Sequence, residues 1–242
     1  MATRAEFLER IRREVRRTPG LFPASAAERP PRPAEARAAV RRQMAERWPE
    51  ALERFRQEFE RVNGLFHRAA GLEEVAGVIR DLAREKDAHE LITWASAELG
   101  LDLRGSLESQ GLSIVAAPAD GRDDARGRYR EAAARAPIGV TGADFALAET
   151  GTLILLSGPG RPHSTSLLPD THVAIFGKDR LLETLEQVGI MLEALHLDAA
   201  RSMSGSVVSF ITGPSRTADI ELTLTRGVHG PKEVHAIFVE AR

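Results

Sequence analysis

The stretch "PIGVTGADFALAETGTLILLSGPGRP", residues 137–162, decides how the rest of the chain reads. Its apolar runs, Phe145–Leu147 and Leu153–Leu156, are too short for helices, and the "AETGT" between them (148–152) is turn chemistry. Two such runs across so short a connection predict an antiparallel strand pair. Downstream, "THVAIFG" (171–177) reads as a strand, 179–195 as a helix, "SVVSFITG" (206–213) as a strand and "EVHAIFVE" (233–240) as the last strand. Residues 219–225, "DIELTLT", alternate like a strand but can equally open a helix behind Ser215 or Thr217. Upstream, a helix over 73–85 precedes the strand "ELITW" (90–94). A short helix near 95–99, the strand "LSIVAAP" (112–118) and a polar, helix-compatible stretch over 121–134 follow. Strands alternating with helices predict an α/β domain with a mainly parallel sheet.

The N-terminal part has a different rhythm. Residues 3–17 predict a short amphipathic helix with Phe7, Leu8, Ile11 and Val15 on one face and arginines on the other. "RPPRP" (29–33) is a stiff, extended linker. From Pro33 to Phe66 the pattern is helical again, with Met44, Trp48, Leu52, Phe55, Phe59 and Val62 as its stripe. Residues 1–45 therefore read as an arm and 46–242 as the main domain. A stripe that an arm cannot bury alone must pack on the main domain or on another subunit, which makes the arm a route to a homo-oligomer.

Composition narrows the function. The chain has 242 residues, 43% apolar and 28% charged, with a formal net charge of -2. That balance argues against a nucleic-acid binder, which carries a basic excess. There is no cysteine, which removes disulfides, thiolate nucleophiles and cysteine-ligated metal or iron–sulfur sites. No segment approaches the roughly 20 apolar residues that span a bilayer. The N-terminus lacks the apolar core of a signal peptide, so a cytoplasmic protein is expected.

Three glycine-bearing loops follow strands. "AETGT" presents Glu149 at a tight turn. "SGPGRPHSTS" (157–166) offers close backbone approach at Gly158 and Gly160, and Arg161 as a planar fork for a carboxylate or phosphate. "TGPSRT" (212–217) combines Ser215, Arg216 and Thr217 with backbone N–H groups in an anion cradle. Asp144 and Asp219 are placed to orient the arginines, and His229, in the turn "GVHGP", is a possible proton carrier. No Walker or dinucleotide-binding motif occurs, and the histidines have no zinc-ligand spacing.

The motifs "TGAD", "AETGT", "SGPGRP", "ITGPSRTADIE" and "GVHGP" occur in one order, and in this they resemble the lactate utilization protein C family, the LUD domain. The resemblance covers roughly residues 40–242 and is strongest from Gly142 onward. It implies a fold similar to the NagB/RpiA/CoA-transferase group: a three-layer α/β/α sandwich with a Rossmann-like, mostly parallel sheet. It also implies a role in oxidising L-lactate to pyruvate beside two iron–sulfur partner proteins. Lacking cysteine, this chain would bind no cluster itself, and the clusters would sit on the partners. The expected role is thus an accessory or ligand-binding subunit with a carboxylate pocket built from Glu149, Arg161, Ser215, Arg216 and Thr217. The alternative is an acyl- or CoA-transferase-like enzyme. Transferases of that fold carry a nucleophilic glutamate in a Ser-Glu-Asn-Gly turn, which "AETG" (148–151) resembles at Glu149 and Gly151 but not at Ala148 and Thr150. A third reading makes the chain mainly a scaffold that docks partner subunits through the Trp48–Val62 stripe.

Overall fold

The computed structural model describes residues 3–17, 33–119, 123–197, 207–218 and 224–241. In chain order the elements are α1 (Arg4–Arg17), α2 (Pro33–Arg61), β1 (Leu65–Ala69), α3 (Leu72–Glu85), β2 (Glu90–Thr93), α4 (Ser96–Leu99), α5 (Arg104–Glu108), β3 (Ser113–Ala116) and α6 (Asp123–Ala133). There follow β4 (Ile138–Gly142), β5 (Phe145–Leu147), β6 (Thr152–Leu156), α7 (Ser164–Leu167), β7 (Thr171–Gly177), a 3-10 turn (Lys178–Arg180), β8 (Leu181–Leu182), α8 (Leu185–Leu197), β9 (Val208–Ile211), β10 (Arg216–Ala218), β11 (Leu224–Arg226) and β12 (Glu233–Val239).

The main sheet has six strands in the order β1-β12-β7-β4-β2-β3, and every pairing is parallel. Parallel strands covered on both faces read as continuous apolar runs, and β7 is buried at every position. Helices cover both faces, which makes the three-layer α/β/α sandwich that the family resemblance implied. On one face, Phe66, Phe176 and Phe238 meet α2. Phe55 lies edge-on to Phe66 and Phe176, with ring centroids 6.2 and 5.2 Å away, and Trp48 stacks on Phe238 at 5.8 Å. On the other face α3 packs against β1, β12 and α5.

A second sheet, β8-β5-β6-β9, sits beside the first. Its β5–β6 pair is antiparallel, in the register Phe145↔Ile154. β9 joins this sheet by pairing with β6, so the strand read at 206–213 is not part of the parallel sheet. β10 and β11 form a separate hairpin. That settles residues 224–225 as strand; residues 219–223 lie outside the described residues.

Three differences from the sequence reading have local causes. The helix predicted to run to Phe66 stops at Arg61, where Asn63 adopts a left-handed φ of 63°. Gly64 then lies against Phe59, so close that a Cβ would come 2.4 Å from the ring. This frees Leu65–Ala69 to form β1. The helix predicted from 179 starts at Leu185, because 178–182 are used for the 3-10 turn and for β8 beside β5. Finally, the α2 stripe is consumed inside its own domain: Met44, Leu52, Phe55 and Phe59 are all buried. Trp48 and Val62, also of the stripe, are half-buried. α2 runs unbroken through residue 45, with Pro49 inside it. Phe7 and Leu8 of α1 are exposed.

Candidate functional site

In an open parallel sheet, ligands bind at the carboxyl ends of strands where the strand order reverses. Here the chain passes from β2 to β3 on one side, then returns to the other side of β2 to form β4. The switch point is therefore the gap between β2 and β4. Trp94, directly after β2, closes that gap with its backbone N–H on the Val140 carbonyl, 3.0 Å away.

Arg161 stands over this gap. The "SGPGRP" loop folds back on itself through two backbone hydrogen bonds between Gly158 and Arg161, at 3.1 and 2.9 Å. It is tied down by Ala95 N–H donating to the Gly160 carbonyl at 2.9 Å and by Trp94 Nε1 donating to Pro162 O at 3.4 Å. The Arg161 guanidinium lies 5.9 Å from the centre of the Trp94 ring, within cation–π range. Nη1 donates to Asp144 Oδ1 at 3.1 Å. Asp144 Oδ2 in turn accepts the Leu156 backbone N–H at 2.7 Å. Nε lies 3.3 Å from Glu98 Oε2, close enough for charge attraction, yet it is buried and makes no hydrogen bond among the described residues. Asp144 is thus a built-in partner, 13% exposed, whereas Glu98 is 40% exposed and only loosely engaged.

The other predicted residues do not join this group. Glu149 lies beyond the far end of β5 from Asp144, in the turn that leads to β6. Its Oε2 accepts the Leu185 N–H at 3.0 Å, capping the first turn of α8. The turn is locked from behind: Gly151 has φ 61°, and a Cβ there would come 2.2 Å from the Phe59 backbone nitrogen. These contacts give Glu149 a structural role, and no observation favours it as a nucleophile. Ser215 Oγ accepts the His229 backbone N–H at 3.3 Å, and Ser215 N–H donates to Pro231 O at 2.9 Å. Both belong to turns beside the start of β12, at the opposite end of the parallel sheet from Arg161. Arg216 and Thr217 lie in β10, paired with Arg226 and Thr225. Asp219 lies outside the described residues. The single pocket expected from these loops is therefore divided: the structure brings together Asp144 and Arg161 and leaves Glu149, Ser215 and His229 elsewhere.

Sequence reasoning missed Trp94 and Glu98, which reach Arg161 from the end of β2 and from α4. The available signal was their place directly after the apolar strand "ELIT", where an open sheet presents side chains to a ligand. Among the described residues, no group of histidine and acidic side chains is arranged to hold a metal ion. Among them, too, no helix is long and apolar enough to cross a membrane.

Fold and crevice together define a three-layer α/β/α protein with an arginine–aspartate pair at the switch point of its parallel sheet. The family model described as "LUD domain" matches residues 52–239, and the chain belongs to that family. It is 37% identical over 174 residues to a lactate utilization protein C of Halalkalibacterium halodurans, covering 71% of each protein. It is 46% identical over 110 residues to a protein of the same name from an Exiguobacterium species, covering 46% of this chain and 47% of that one. The fold is also that of a crystal structure of a DUF162 family protein from Deinococcus radiodurans, with a TM-score of 0.54 and 19% identity over 79% of this chain and 98% of that one.

Proposed function

We propose that this chain is a ligand-binding subunit of a system that oxidises L-lactate to pyruvate. Its relatives named lactate utilization protein C support the pathway, and the Arg161 crevice supports ligand binding. The observation that carries the binding role is the buried Arg161 Nε, which among the described residues makes no hydrogen bond and has only the half-exposed Glu98 carboxylate beside it at 3.3 Å. A buried guanidinium N–H without a partner costs about 1–3 kcal/mol, more when charged. A ligand carboxylate displacing the half-exposed Glu98 would satisfy Nε, while Asp144 keeps the guanidinium in place. Trp94 would form one wall of the site. Electron transfer would fall to iron–sulfur partner proteins, because this chain has no cysteine with which to hold a cluster.

The test is calorimetric titration of the purified chain with L-lactate and with pyruvate, alone and with the iron–sulfur partners, beside Arg161→Ala and Arg216→Ala variants. Binding that disappears in Arg161→Ala and survives in Arg216→Ala is expected. Binding that survives in Arg161→Ala would place the ligand elsewhere, and no binding under any condition would remove the ligand-binding role.

A further inference from the structure

The end of the sheet opposite Arg161 holds a second constellation that shares no residue with the crevice. A groove of about 570 Å³ opens at the start of β1 and β12. Leu65, Phe66 and Pro214 form its apolar side, and Glu60, His67, Lys232 and Glu233 its polar side. Each charge there already has a partner: Glu60 with Arg56 at 3.4 Å, Lys232 with Asp170 at 2.8 Å and Glu233 with Lys86 at 2.6 Å. A groove with compensated charges and an apolar wall suits an uncharged ligand.

His67 is the group at this groove with unused capacity. β1 and β12 run in the register Leu65↔His235 and His67↔Ile237, so the two imidazoles project from the same face of the sheet. His67 Nε2 and His235 Nδ1 are 3.0 Å apart. The ring planes differ by 14° and the centroids are 5.2 Å apart, so the rings lie end to end. Beyond them His235 Nε2 is 3.4 Å from Glu233 Oε2, and Lys86 Nζ is 2.6 Å from Glu233 Oε1. Lys86 also holds Glu85 at 2.9 Å.

This row sets the tautomers. An ionised Glu233 only accepts, so His235 carries its proton on Nε2. A neutral His235 then accepts at Nδ1, and the donor must be His67 Nε2–H. What remains on a neutral His67 is the bare lone pair of Nδ1, which has no hydrogen-bond partner among the described residues.

We propose that His67 is the general base of a second, independent site that acts on an uncharged acyl ester held in this groove, with His235 and Glu233 as positioning residues. Nδ1 takes a proton from a water molecule as the water oxygen bonds to the acyl carbon. The ester C–O bond breaks, the leaving oxygen departs with its electron pair, and the proton on Nδ1 passes to it or to solvent. His235 and Glu233 hold the ring in the accepting tautomer and spread the transient positive charge. The inference does not rest on the lactate reading.

The experiment uses the full chain with 4-nitrophenyl acetate as probe, following release of 4-nitrophenolate at pH 7. General-base catalysis contributes about 10²- to 10⁴-fold, so His67→Gln should slow the reaction by at least about tenfold. His89→Gln, at a histidine 88% exposed and outside the groove lining, should leave the rate unchanged. Glu233→Gln keeps His67 but releases the tautomer, so it should lower the rate and shift the imidazole ¹⁵N resonances of both histidines. Equal rates for the parent chain and His67→Gln, or ¹⁵N shifts that put the His67 proton on Nδ1 at neutral pH, would overturn the proposal.

Discussion

Arg161 Nη1 and Asp144 Oδ1 meet at 3.1 Å across the open end of the β5–β6 hairpin, one residue entering it and the other leaving it. The pair is doubly anchored, because the second Asp144 oxygen accepts the Leu156 N–H inside the same hairpin. Asp144→Ala removes the acceptor of both bonds and should cost about 2 kcal/mol, the usual worth of a hydrogen bond to a charged group. Asp144→Asn keeps an acceptor for Leu156 and should cost less. Urea unfolding of the two variants orders them; equal losses would mean that the Leu156 bond contributes nothing.

Gly151 and Gly111 both have positive φ, 61° and 85°, but their surroundings differ. A Cβ at Gly151 meets the α2 backbone at 2.2 Å, whereas one at Gly111 meets nothing within 4 Å. Gly111→Ala should cost only the left-handed penalty, about 1–2 kcal/mol. Gly151→Ala should cost clearly more, since backbone on both sides must move. Thermal melts of the two variants side by side would refute this if they shifted alike.

Glu149→Ala removes the side-chain acceptor at the start of α8 and should destabilise by about 1 kcal/mol, while Glu149→Gln, which still accepts, should lose less. Incubation with acyl-CoA followed by hydroxylamine should trap no adduct on Glu149. A trapped adduct that the Gln variant abolishes would restore the transferase reading.

Acid should weaken the fold through its histidines. Burial pushes the His172 imidazole down to about 3 and that of His235 down to about 4, from an ordinary value near 6.5. Burial also lowers His67. These groups bind protons in the unfolded chain before they do so in the folded one. Their stabilising contribution is therefore complete above about pH 6.5 and is lost as the pH falls toward 4, at up to about 1.4 kcal/mol per pH unit for each histidine. Unfolding free energies measured from pH 8 to 5 should be level at first and then fall. A curve that stays flat down to pH 5 would contradict the assigned burial.

The architecture was legible because its signals are local. Apolar runs such as "THVAIFG" and "EVHAIFVE" announce buried parallel strands, and "AETGT" between Phe145–Leu147 and Leu153–Leu156 announces a hairpin. β1 was missed because "LFHRA" continues the apolar spacing of α2, although Asn63-Gly64 was a readable stop. The placement of β9 was illegible in principle, since a strand's sequence does not say which sheet takes it. The site was half legible. Arg161 and Asp144 stand out in glycine-rich motifs, but their partners Trp94 and Glu98 are about 60 residues from Arg161 in sequence, and only the strand order brings them together. Glu149 and Ser215 were grouped with Arg161 by chemistry alone, and strand geometry separates them.

β1 has one neighbour in the sheet, β12, and Leu65 is in register with His235, far along the chain from it. At about 5–20 residues per second of synthesis, Leu65 waits roughly 10–30 s for its partner to be made. Through that interval the apolar face of α2 lacks Phe238 as a packing surface, and β1 has no strand to pair with. The central sheet of this protein can close only once β12 has been made, so the nascent chain depends on keeping β1 and the apolar face of α2 from other partners through that interval.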